Sequence, residues 1–362
     1  MRRLRVMHVV VAGDIGGAER LLADLATHPG ESGADHEVAL VTPNRALASY
    51  FSGLGLRVHD RGAARENALA YLYRSLGPAD VKWLTDLLVA RTIDLVHTHT
   101  FGSHVLGTRS ASRARVPQIR TEHHVMHYFD PSTSPFTRWA AKRTDRFVAV
   151  SDYVRSVLDK TAPAAAARAT VVRNGVDSAY WSPLPASRGE FRLAIICRLT
   201  AWKRVHLAIE AATLANAELL VVGDGEKRSS LEALGRRLRA RVTFAGHQRD
   251  PRPFIAKCDV ALSTADNEPL GLSVLESLSM RRPVIAFAGG GIPEIVQHGV
   301  TGWLVPEATP EAFAHAIDGA RQNRARLSEM GALARQFAVE HASLEQMCEG
   351  YASVYRALSV TR

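Results

Sequence analysis

Short β-rich runs separated by longer stretches of helical period recur along the whole 362-residue chain. That alternation admits few folds, chiefly parallel sheets joined by crossover helices. In the first half the strands read RVMHVVVAG, HEVALVT, LRVHD, IDLVHTH, PQIRTEH, RFVAVS and ATVVRNG, with helical patterns such as ERLLADLATH, VKWLTDLLVART and YVRSVLDK between them. In the second half they read RLAIICRL, ELLVVGDG, VTFAGH, DVALSTA, RPVIAFAGG and GWLVP, with helices opening near Lys203, Glu226, Leu272 and Ile292. The expected fold class is therefore α/β, with two Rossmann-like domains.

The chain is too long for one ordinary core and too short for three. The segment Asp177–Glu190 is poor in pattern, so it reads as the linker. The expected domains are residues 1–180 and 181–342. A last amphipathic helix, 343–362, either caps the second domain or crosses back to the first. With 46% hydrophobic and 22% charged residues the chain has the composition of a folded globular protein. Its apolar runs stop short of the roughly 18 residues a membrane span needs, and the N-terminal stretch enters a strand without a cleavage signature. A cytoplasmic location is expected. Cys197, Cys258 and Cys348 lack CxxC spacing and read as buried apolar residues or free thiols.

In open α/β sheets ligands bind beyond the carboxyl ends of the strands, and the suggestive residues sit on those loops. After the first strand, Gly16 and Gly17 open a helix. They let backbone N–H groups approach an anion there, or make a tight turn with no ligand. The pattern is not GxGxxG, so a nicotinamide site is unsupported. In CRLTAWKR, Arg198 at a strand end and Lys203 at a helix start can clamp a diphosphate, the first as a fork and the second as a point charge.

The densest signal is ADNEPLGLSVLESLS, where seven residues separate Glu268 from Glu276. Glu268 lies on a loop and Glu276 about one turn into the following helix, so both can face one site. Gly271, Leu272 and Ser273 stand between them at the positive end of the helix dipole. Such a site takes phosphates at the helix start and hydroxyls on the carboxylates. A histidine-rich stretch supplies His97, His99, His104, His123, His124 and His127, but HxH and HH without nearby acidic or thiol ligands are weak metal signals. No DxD occurs, and no bound metal is expected.

In order and spacing, GGAER, DLVHTH, RTEHH, FVAVSDYV, VVRNGVD, CRLTAWKR, LLVVGDGEKR, VTFAGH, CDVALSTADNEPLGLSVLES and PVIAFAGGGIPEIVQHGVTGWLV resemble the retaining glycosyltransferases of family four. The resemblance implies the GT-B fold, with two Rossmann-like domains facing a central cleft, the N-terminal one binding acceptor and the C-terminal one donor. It implies Gly16 and Gly17 near donor phosphates or acceptor, and Arg198 and Lys203 on the diphosphate. Glu268 falls on sugar hydroxyls, the backbone of Gly271, Leu272 and Ser273 on sugar and phosphate, and Glu276 on the ribose. His123 matches the histidine beside the transferred sugar, with His124 its rival. Pro269 and Leu270 stand where the family commonly has Gly or Ser followed by Phe, so any sugar preference carried by that loop does not transfer.

By the same resemblance the substrate is a nucleoside-diphosphate sugar of UDP or GDP type. The reaction is retaining and metal-independent, and needs no separate cofactor. The acceptor hydroxyl belongs to a glycan, a glycolipid or a small molecule. A nucleotide-sugar 2-epimerase of similar fold is the alternative. The net charge of +9 is spread along the chain, and no nucleic-acid module is visible. TRWAAKRTDRF interleaves aromatic and basic residues and mildly favours peripheral contact with a membrane; it reads equally as a solvated helix packing Trp139 inward.

Overall fold

The structure, a computed structural model, describes residues 3–12, 15–28, 33–42, 44–62, 76–185 and 189–359. It divides into two compact units, one holding Met1–Arg173 with Glu345–Arg362 and the other Asn174–Leu344.

The first unit is built on seven parallel strands: β1 (Arg5–Val10), β2 (Asp35–Leu40), β3 (Arg57–Asp60), β4 (Leu95–Thr98), β5 (Gln118–Glu122), β6 (Arg146–Ala149) and β7 (Ala169–Val171). Their order is β3-β2-β1-β4-β5-β6-β7. These strands are near-continuous apolar runs because both faces of a parallel sheet are covered. In β1, Met7 and Val9 pack with Leu84, Leu88 and Leu106 on one face, while Val10 packs with Leu22, Leu40 and Phe51 on the other. Strand alternation puts His8 on the same side as Val10, and it too is fully buried. Ser151 stops the chain after β6 and starts the helix Asp152–Thr161 by accepting the Val154 N–H at 3.1 Å.

The second unit holds β8 (Arg192–Ile196), β9 (Glu218–Val222), β10 (Val242–Gly246), β11 (Val260–Ser263), β12 (Val284–Phe287) and β13 (Gly302–Val305), in the order β10-β9-β8-β11-β12-β13. Phe313 and Ile317 of the helix Pro310–Gln322 close one face against Leu193, Leu219 and Ile285. Leu275 and Leu278 of the helix Leu272–Ser279 close the other against Ala261 and Val284. Burying a side chain the size of Phe313 is worth about 1.5–3 kcal/mol, and both layers repeat it many times. Strand order reverses between β1 and β4 in the first sheet and between β8 and β11 in the second, which marks the two places where such sheets hold ligands.

Three local expectations change. The first unit ends at Arg173 rather than at 180, because Val176 is stitched into the second unit by its N–H to Ala342 O and its carbonyl to Leu344 N. The Asp177–Glu190 stretch is not a loose linker where it is described: Trp181 is buried in the second core, and its carbonyl accepts from Ser279 Oγ and Arg335. Residues 186–188 lie outside the described residues. The helix expected near Ile292 is one 3-10 turn, Ile292–Glu294, cut short by the Gly299 turn at φ +77° and the His298–Gly302 bridge. The last helix, Leu344–Ser359, contributes its Glu345–Ser359 stretch to the first unit.

Candidate active site

In the second unit the loops leaving β8 and β11 meet at the strand-order reversal. Thr264, just past β11, donates its hydroxyl to the carbonyls of Lys203 and Arg204 at 2.9 and 3.1 Å. Asp266 N–H reaches Trp202 O at 3.0 Å. With the two loops tied, Lys203 Nζ donates to Glu268 Oε2 at 2.6 Å and lies 4.0 Å over the Trp202 ring. The two side chains are only 15% and 11% exposed, so their charges are screened far less than a surface pair. Arg198 is exposed on the β8 loop. Lys203 and Glu268, read from the sequence as separate devices, thus form one.

Gly271, at φ +101°, turns the chain into the helix Leu272–Ser279. The first intrahelical bonds run from Val274 and Leu275 N–H to Gly271 O, so the amides of Leu272 and Ser273 come before the ladder, at the positive end of the dipole. Glu276 is buried on the same helix as the core residues Leu275 and Leu278. Unlike a leucine at that position, a buried carboxylate requires a polar partner.

Gly290, which the reading of individual residues passes over, packs against the Glu268 loop. At φ +64°, an added Cβ would lie 2.2 Å from Glu268 O, and the neighbouring Gly291 N–H donates to that same carbonyl at 2.8 Å. The triple glycine at the end of β12 is the available signal. Gly290→Ala is expected to cost about 1–3 kcal/mol in stability and to displace the Glu268 loop, lowering turnover. Gly299→Ala, at φ +77° in open space, carries the backbone strain without the clash. Thermal melts and turnover of both variants test this; equal loss of turnover would show that the Gly290 contact does not position Glu268.

In the first unit Gly16 caps the helix Gly17–Thr27, and its N–H donates to Glu19 Oε2 at 2.9 Å. The chain's own carboxylate thus holds that amide; Gly13 and Asp14 of the same loop lie outside the described residues. His123 leaves β5 half-buried, its Nε2 3.2 Å from His99 Nδ1, whereas His124 is exposed. Burial, then the nearby Arg120 charge, lowers His123 to about 3, so the ring is neutral at ordinary pH.

Beneath it, Glu122 accepts from Arg120 at 3.0 Å and Tyr128 OH at 2.9 Å, with His127 Nε2 3.2 Å away. Burial raises the Glu122 pKa, but Arg120 and His127 outweigh it and hold the carboxyl well below the usual range. His104 is buried, with its Nε2 2.8 Å from Thr144 Oγ1.

His97 and His99 join His8, which the sequence reading did not single out. Their ligating nitrogens lie within 4.8 Å of one another, a spacing compatible with a metal ion among the described residues. Every one of the six ring nitrogens already has a hydrogen-bond partner: His36, Tyr355, Thr121, His123, or each other. The three thiols are free, and burial pushes each up to about 12. Trp139 is not packed inward; it is 37% exposed, with Arg143 stacked 4.7 Å over its ring. No helix among the described residues is long and apolar enough to cross a membrane.

Two doubly wound sheets, one bearing a cation–carboxylate pair and a helix start at its switch point, define a protein of the GT-B class. A model of glycosyltransferase family 4 matches residues 15–180 and one of glycosyl transferases group 1 matches residues 190–323, between them most of the chain. The chain belongs to this family and is a glycosyltransferase. It is similar to the lipopolysaccharide core biosynthesis glycosyltransferase LpsE of Rhizobium meliloti, 35% identical over 167 residues that span 44% of this chain and 47% of the relative. It also resembles the N-acetyl-alpha-D-glucosaminyl L-malate synthase of Bacillus anthracis, 25% identical over 75% of this chain and 77% of that protein. Among solved structures, Anabaena HepE in complex with UDP and glucose superposes with a TM-score of 0.85 at 22% identity, covering 98% of this chain and 100% of that one.

Proposed function

We propose that the chain is a retaining, metal-independent glycosyltransferase that moves a sugar from a UDP- or GDP-type donor to an acceptor hydroxyl in glycolipid, polysaccharide or glycosylated-metabolite synthesis. The observation that carries this is the Lys203–Glu268 pair at the β8/β11 reversal, 2.6 Å apart, beside the helix start at Gly271. A single fixed site thereby offers positive charge and N–H groups for a diphosphate and negative charge for a sugar. HepE, with the same fold, was captured with UDP and glucose, which supports the UDP type.

In this reading Arg198, Lys203 and the amides of Leu272 and Ser273 stabilise the departing diphosphate, and Glu276 binds the ribose. Glu268 faces the positive character that develops on the sugar. The bond from anomeric carbon to phosphate oxygen breaks while the acceptor oxygen bonds that carbon on the same face. The acceptor proton passes to the released phosphate oxygen. Gly16 and Gly17 serve the acceptor or the donor phosphates, and His123 the transferred sugar. Turnover is expected to persist in EDTA, and NMR of the product to show the donor's anomeric configuration. Activity lost to chelation and restored by magnesium would refute metal independence, and an epimeric sugar formed from donor alone would indicate an epimerase.

A lipid-borne acceptor is favoured by the surface around Ser134–Ala141, where Met126, Phe129, Phe136 and Trp139 are 65, 56, 37 and 37% exposed beside Arg138, Lys142 and Arg143. Apolar tips among cations suit an anionic bilayer. The chain is expected to co-sediment with anionic vesicles, and the pair Phe129→Ser and Trp139→Ser to weaken this; no sedimentation at low salt would leave a soluble acceptor.

A further inference from the structure

Four histidines of the first unit connect end to end. His36 Nδ1 meets His8 Nε2 at 2.8 Å, His8 Nδ1 meets His99 Nε2 at 3.0 Å, and His99 Nδ1 meets His123 Nε2 at 3.2 Å. Each link joins a Nδ1 to the next ring's Nε2, always in the same sense, and neighbouring rings are inclined by only 27°, 20° and 34°. The sheet explains how they meet. His8 on β1 pairs in register with His97 on β4, His99 follows two residues on, and His36 lies on β2. Alternation therefore puts them on one face. Over that face lie Tyr355, which bonds His97 at 2.8 Å, and Tyr351, which bonds Thr121 at 3.0 Å.

Burial holds His8 and His99 well below the ordinary imidazole range and His36 at about 4, so the rings are neutral, each with a single N–H. Neutral rings wired this way have only two arrangements in which every link is made. Either all four carry the proton on Nδ1 and donate toward His123, or all carry it on Nε2 and donate away. Any mixture sets two N–H groups or two lone pairs face to face, a lost buried hydrogen bond. Passing from one arrangement to the other moves a proton across each link, and needs one proton gained at one end of the chain and one released at the other.

We propose that His36, His8, His99 and His123 form one hydrogen-bonded chain that couples the tautomer of His123 to those of the other three rings, making His99, His8 and His36 positioning residues for that ring. Among the described residues His123 Nδ1 has no protein partner, so the chain decides whether it meets a ligand as donor or acceptor. The placement of that ligand as the transferred sugar rests on the function proposed above; the tautomer coupling does not.

The test is a long-range proton–nitrogen spectrum of the full chain labelled with 15N-histidine at neutral pH, rings assigned by single His→Gln variants. The expected result is one tautomer, the same in all four rings. In His8→Phe, which removes a ring not touching His123, His123 is expected to become a mixture. Should that variant not fold, His36→Leu at the chain's outer end gives the same reading. Opposite tautomers within the four, or a His123 signal indifferent to both substitutions, would overturn the chain.

Turnover separates the second claim. His99→Leu is expected to lower kcat by roughly two- to tenfold, the worth of one buried hydrogen bond, with nucleoside diphosphate affinity unchanged. His99→Asn, which keeps a polar group near the Nδ1 position, is expected to recover part of it. Uniform tautomers with undiminished kcat in His99→Leu would uphold the chain and remove His123 from the sugar.

Discussion

Glu268→Gln is expected to reduce turnover by about a hundredfold or more while leaving nucleoside diphosphate affinity close to that of the unaltered enzyme. Glu268 is 8% exposed, its side chain is fixed by Lys203 at 2.6 Å, and its backbone is pinned by Gly291. Glutamine keeps the size but removes the negative charge from a preorganised site, and loss of one such stabilising group typically costs 10²–10³ in kcat. In the proposed site the ground-state nucleotide makes no use of that charge. In that site Lys203, no longer neutralised by a carboxylate, is more available to the diphosphate, so affinity is expected to hold or tighten slightly. Calorimetry with nucleoside diphosphate, beside initial rates, separates the two effects; parallel loss of both would mean that Glu268 holds the nucleotide rather than the sugar.

Glu276→Gln is expected to fail the opposite way. Glu276 is 6% exposed on the helix Leu272–Ser279, and in the proposed site its carboxylate receives the ribose hydroxyls. A hydrogen bond to a charged group is worth about 1.5–3 kcal/mol, which corresponds to a loss of roughly tenfold to somewhat over a hundredfold in nucleotide affinity. At saturating donor the remaining turnover should fall less than in Glu268→Gln. If Glu276→Gln leaves nucleotide binding untouched and Glu268→Gln abolishes it, the two roles are exchanged.

The strands were legible in the sequence because parallel strands covered on both faces become short, mostly apolar runs, and β1, β8 and β12 are of that kind. The helix Phe101–Ala114 left no comparable pattern. Its buried face is Gly102, Ser103, Gly107, Thr108 and Ser110 as much as Val105 and Leu106. It packs so close to the sheet that a Cβ on Gly107 would lie 2.5 Å from Thr98 Cγ2, and small polar residues take the place of the apolar stripe.

The carboxylates were visible because a charge amid VLxSL stands out locally. The Lys203–Glu268 contact was not, since crossover connections bring together residues 65 positions apart and spacing along the chain does not encode that. The same reason hid His8, which meets His99 across 91 positions. His97 and His99 drew notice only as a dipeptide-spaced pair. Their partners, and the tyrosines of the returning C-terminal helix, emerge only from the strand order.

The most direct measurement of the central claim is calorimetric titration of the full chain with UDP, GDP and ADP, repeated on Arg198→Ala and Lys203→Ala and compared with the corresponding nucleosides. If the β8/β11 reversal holds the diphosphate of a sugar donor, UDP or GDP binds the unaltered chain, and each substitution weakens the diphosphate more than the nucleoside. No binding by any of the three diphosphates, or equal weakening of diphosphate and nucleoside in both variants, would contradict it.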